Sequence, residues 1–137
     1  MMRRRSCQLG QSIVEVALVL PVLLLLLAGV VDVARAMATK VALTNASREG
    51  ARYASRYPAD GAGVVRAVRS ELASDDIDVA RVQITQTPDP SKVPAVSGEQ
   101  VTVTLVYPFT TIMSGVLGLK GIEITAETTM VVFGVAD

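Results

Sequence analysis

Hydrophobic and polar positions change their rhythm three times along the chain. From Ile13 to Val31 the sequence reads IVEVALVLPVLLLLLAGVV, apolar except for Glu15. At about 1.5 Å per residue these nineteen positions nearly match a hydrocarbon core of about 30 Å, so they predict one membrane-spanning helix. Pro21 removes one N–H and crowds the carbonyl of Ala17, which predicts a bend rather than a break, because membrane helices tolerate proline. Helical patterning then continues to about Tyr57, where Pro58 and the ADGAG stretch stop it.

Along the outer part of this helix Ala34, Ala38, Ala42, Ala46, Gly50 and Ala54 recur every four residues. Such a row lets another backbone approach closely, so another element or another copy should cover it; alanine is also simply a good helix former. Asp32 and Arg35, just past the apolar run, read as an interfacial pair marking its outer end. Arg48, Arg52 and Arg56 share the four-residue spacing on a different side, with Glu49 in reach of Arg52, and read as a solvated charged face.

The rhythm shortens after Pro58. Val64, Val65, Val68 and Leu72 lie at helical spacing within 63–73 and predict a short amphipathic helix. Period-two alternation follows in 80–86 (Val82, Ile84), in 101–107 (Val101, Val103, Leu105, Tyr107) and from Ile122 through Ile124 and Ala126, before the apolar Val131 to Phe133. The proline- and serine-rich 87–99 reads as a loop. The apolar, glycine-punctuated 109–121 reads as a short helix near the membrane surface, a contact patch for another subunit, or ordinary core. Three antiparallel strands with one apolar face cannot bury that face alone, so the sheet should lie on the outer half of the long helix and on the second helix. The predicted class is α+β: one long amino-terminal helix, a second helix and a three-stranded antiparallel sheet.

Composition narrows the function. The 137 residues include no His, no Trp and one cysteine, Cys7, so there is no imidazole base or ligand, no intrachain disulfide and no thiolate metal site. Net charge is zero, and no stretch is basic enough for a nucleic-acid footprint. Asp75, Asp76 and Asp78 invite a calcium reading, but without a central glycine or distal bidentate acid they read as a solvated turn. No nucleophile and base pair, phosphate loop or metal-ligand spacing occurs. The expectation is a non-enzyme with no catalytic, cofactor or metal residues.

Arg3, Arg4 and Arg5 precede the span, and an excess of basic residues marks the cytoplasmic side, so the amino terminus stays inside and residues 58–137 face outward. A secretory signal peptide cut after Ala36 or Ala38, releasing a soluble domain, is a third reading; against it, the apolar run exceeds the usual length and helical patterning continues past those residues. Glu15 is the anomaly. It either snorkels to the inner headgroups or waits for a cation.

The run GQSIVEVALVLPVLLLLL from Gly10, followed by Asp32 and by ALTNASREGARYA at 42–54, resembles the TadE-like pseudopilins of the tight-adherence (Tad/Flp, type IVc) pilus systems. VTVTLVYPF at 101–109 and the closing ITAETTM resemble that family's tail. The resemblance implies a leader of residues 1–10, a prepilin peptidase cut after Gly10, Gln11 as the new amino terminus and Glu15 as the fifth mature residue. Val16 stands where the major pilins carry an aromatic. It further implies a mature helix over 11–57 and an outward pseudopilin domain over 58–137. The implied partners are the prepilin peptidase, other Tad pseudopilins, the major pilin, the inner-membrane assembly platform and membrane lipid. Such a cut removes three arginines from a chain of zero net charge, leaving −3, and creates an ammonium on Gln11. An ammonium a few ångströms from Glu15 would offset much of the cost of burying that carboxylate in a helix bundle. The competing reading is an uncleaved single-pass protein with an outward binding domain.

Overall fold

The computed structural model describes residues 7–73, 75, 77–92, 95–118 and 121–133. Arg3, Arg4, Arg5, Asp76 and Pro94 lie outside the described residues, as do the side chains of the rest of the leader. Helix α1 (Cys7–Ala54) runs unbroken through Pro21. It is followed by α2 (Gly61–Leu72), a 3-10 turn (Val79–Arg81), strands β1 (Gln83–Thr87) and β2 (Gln100–Phe109), helix α3 (Ile112–Leu117) and strand β3 (Ile122–Val131). The expected α+β class, the continuous long helix and the three strands are all present. α1 ends three residues before Tyr57, and β1 starts later than expected because residues 79–81 close a 3-10 turn instead.

α2 starts at Gly61, two residues before its apolar pattern, because Asp60 caps it: Asp60 Oδ1 accepts from the Gly63 N–H at 2.8 Å. The other carboxylate oxygen accepts from the Tyr53 hydroxyl at 2.8 Å, tying the cap back to α1. Those bonds, the Gly63 N–H first, and the nearby Arg66 outweigh partial burial and hold the Asp60 carboxyl below its ordinary range; the same contact raises the Tyr53 phenol.

The sheet has the order β1-β2-β3, both pairs antiparallel, with Leu105 between Ile84 and Ala126. Alternation sorts its faces. Val101, Val103, Leu105, Ile124 and Ala126 point into the core, and Thr102 meets Thr129 on the other side at 2.8 Å between hydroxyls. The inner face packs on α1, with β3 and β2 both against the helix.

α1, α2 and the sheet converge at Gly50. A Cβ built there would lie 2.6 Å from Val68 Cγ2 and 3.2 Å from Val103 Cγ1, closer than side-chain atoms pack. Around it Leu43, Ala46, Val64, Val68, Leu72 and Leu105 are fully buried, and each such aliphatic side chain of Val or Leu size stabilises the fold by about 1.5–3 kcal/mol. Ala95, in the predicted loop, also joins this core.

Candidate assembly interface

α1 presents two surfaces. From 11 to 27 every residue is exposed, including Leu18 at 70% and Leu26 at 63%. The described chain has one helix long and apolar enough to cross a membrane, and no residue of its most apolar part is buried by the rest of the protein. Glu15 stands on this surface in a shallow groove with Val16, Val19, Leu20 and Leu23. Gln11 lies one turn before it on the same side of the helix, as four-residue spacing requires. Among the described residues no cation pairs with Glu15. Gly10 continues the helix into Gln11, so an ammonium beside Glu15 exists only if the bond between them is cut.

The small-residue row divides. Ala42, Ala46, Gly50 and Ala54 are buried under the sheet and α2, whereas Ala34 and Ala38 stay exposed beside Val33 (60% exposed), Met37 and Val41. The chain's own domain thus covers the upper part of the row and leaves the part nearest the membrane open.

Asp32 has a larger role than its spacing from Arg35 indicated. It is 6% exposed, and the ion pair with Arg35 is long, at 3.6 Å. Its Oδ1 accepts from the Ile112 N–H at 2.8 Å and its Oδ2 from the Met113 N–H at 2.9 Å, which fastens the start of α3 to α1. Thr111 completes the cap, its hydroxyl accepting from the Ser114 N–H at 2.9 Å. Burial pushes the Asp32 carboxyl up, but the N–H groups of Met113 and Ile112, together with Arg35, outweigh it and hold the carboxyl below its ordinary range. The Arg35 guanidinium lies 5.4 Å from the centre of the Phe109 ring.

Two further polar contacts join helix and sheet. Lys40 donates to the Thr125 carbonyl, and the Ser47 and Thr128 hydroxyls meet at 2.7 Å in the core. Asp32 and α3 lie 80 residues apart in sequence, so periodicity cannot join them; the available signal was a lone acid at the end of an apolar run and a Thr-Thr-Ile helix start at 110–112. Arg48, Arg52 and Arg56 are exposed as expected, with Arg52 bonded to Glu49 at 2.7 Å.

Among the described residues no group of three carboxylate or cysteine side chains could hold a metal. Asp75 is exposed, and Asp78 caps the 3-10 turn through the Ala80 N–H at 3.1 Å.

No curated protein and no solved structure matches the chain. Residues 10–52 match the family model described as TadE-like protein. The match opens on Gly10, takes in Glu15 and Asp32, and stops two residues before the end of the long helix, so the similarity to TadE-like proteins runs along that helix.

Proposed function

We propose that this protein is a minor pilin, or pseudopilin, of a type IVc (Tad/Flp) pilus system, held in the bacterial inner membrane by residues 13–31 with its amino terminus cytoplasmic and its domain outside. Its role is structural, in assembly or function of the pilus, with no catalytic step of its own. The observation that carries this reading is the TadE-like match, which starts at the glycine five residues before the one acid in an otherwise apolar, fully exposed helix surface.

In this reading a prepilin peptidase hydrolyses the bond between Gly10 and Gln11. The released Gln11 ammonium and the Glu15 carboxylate then provide one cation and one anion at fixed height on each subunit. Two such charges in a helix bundle are costly unless they meet, so they set the axial register of one subunit against the next. The exposed leucines and valines supply the apolar contact with lipid and with neighbouring helices, those of other pseudopilins and the major pilin included. The inner-membrane platform would receive the processed chain.

The amino terminus of the protein recovered from membranes tests the reading. Gln11 is expected; Met1, in cells with an active processing enzyme, would favour an uncleaved single-pass protein with an outward binding domain. Gly10→Ala should keep the full-length mass. Glu15→Val should insert into the membrane as well as the native chain but no longer co-purify with other pilins, and normal assembly of that variant would remove the pairing mechanism.

A further inference from the structure

Segment 109–118, FTTIMSGVLG, is the part of the outward domain that the assembly reading leaves without a task. It carries no charge. Its Ile112 is 43% exposed, Gly115 and Gly118 are exposed, and a Cβ at either glycine would meet nothing within 4 Å. Ile112 and the two open glycines leave this uncharged helix start and turn uncovered by the chain itself.

Its height along α1 points to what covers it. Asp32, the first residue beyond the apolar run, holds the Ile112 and Met113 N–H groups at 2.8 and 2.9 Å. A run of nineteen residues nearly equals the hydrocarbon thickness, which sets Asp32 at the outer water-to-hydrocarbon boundary and α3 level with it. One turn farther out, Arg35 stacks on Phe109 with half of its side chain exposed, at the level where lipid phosphates lie.

The N–H groups that open α3 already have partners, which lowers the cost of bringing that end into a poorly hydrated layer. Asp32 takes the first two helical N–H groups, Thr111 takes that of Ser114, and the Ser114 hydroxyl donates to the Thr111 carbonyl at 2.6 Å. The same bonds occupy both oxygens of Asp32, so the buried carboxylate needs no water either.

We propose that α3 lies in the outer headgroup-to-acyl boundary and contacts phospholipid directly, with Asp32 as the positioning residue that holds it there. The domain then meets the membrane at two points, span and collar, and this fixes its height and tilt above the bilayer. The inference rests on the membrane anchoring proposed above.

The test uses the full chain with Cys7→Ser, reconstituted at one copy per phosphatidylethanolamine/phosphatidylglycerol nanodisc. Single cysteines at Gly115, at Ile112 as a second collar site, at Leu24 in the span and at Ser97 in an exposed turn carry an environment-sensitive fluorophore. The collar labels should emit to the blue of the Ser97 label, resist aqueous iodide several-fold better, and be quenched by lipids spin-labelled near the headgroup. Asp32→Asn, which weakens the pin, should return the collar labels toward the Ser97 values while leaving Leu24 unchanged. Iodide access at the collar equal to that at Ser97, with Leu24 protected, would overturn the collar and leave the anchor standing. Protection from iodide without quenching by labelled lipid would overturn it in favour of cover by protein. Iodide access at Leu24 would overturn the anchor and the collar together.

Discussion

The inner and outer halves of α1 are one continuous helix built for two different surroundings. Between Ile13 and Val31 most side chains are long or branched, nearly all are exposed, and the only charge is Glu15. Between Asp32 and Ala54 the buried side includes Ala42, Ala46, Gly50, Ala51 and Ala54, with Leu43 and Ser47 among them, and the sheet and α2 lie close upon it. Bulk suits a surface that meets fluid lipid or other helices over its whole circumference. Small residues suit a surface on which a fixed domain docks, because every methyl group added there displaces a backbone or a valine.

Equivalent substitutions in the two halves should therefore differ, and thermal unfolding of the full chain in detergent micelles measures the difference. Leu43→Ala removes a fully buried side chain and should cost about 2–5 kcal/mol, whereas Leu23→Ala, at a position 55% exposed, should leave the domain's transition in place. Equal losses at both sites would end the distinction. Gly50→Val should cost about 1–3 kcal/mol, since its Cβ alone would come 2.6 Å from Val68 Cγ2, while Gly29→Ala, with nothing within 4 Å, should be tolerated.

Acid should loosen two contacts of the outward domain. The Asp32 and Asp60 carboxyls are both held below the ordinary aspartate value of about 3.9, so their contribution is fully present above that value and is lost as pH falls through their folded values. Below about pH 4 the cap of α2 and the pin of α3 should loosen together. Protection of the Ile112 and Met113 amides from exchange, relative to their intrinsic rates, would report the second event, and Asp32→Asn should remove the acid-dependent step in that protection. The smallest effect belongs to the open stripe: Val41→Ser, at a position 60% exposed, should change stability by no more than about 0.5 kcal/mol. If the stripe meets a neighbouring subunit, the same variant should weaken co-purification with other pilins.

Most of the architecture could be read before the fold was seen, for reasons particular residues make plain. Ile13 to Val31 is long and apolar enough for a helix that crosses a membrane. Val101, Val103 and Leu105 alternate with threonines, which fixes both the strand and its inward face. Val64, Val68 and Leu72 did the same for α2. The proposed cut between Gly10 and Gln11 could be suggested only through the resemblance, since those two residues carry no physical signal by themselves. The small-residue row could be recognised but not apportioned, because its spacing is identical where the domain covers it and where it does not.

Local periodicity, then, determined the long helix, the second helix, the three strands and the odd position of Glu15, because those depend on neighbours a few residues apart. Tertiary structure alone decided that Asp32 fastens α3 to the helix, that Lys40 and Ser47 reach β3, and that Ala34 and Ala38 stay open while Ala42 to Ala54 close. Each of those facts is a meeting of residues far apart in the chain, set by where the sheet comes to rest on α1, and no repeat in the sequence encodes that distance.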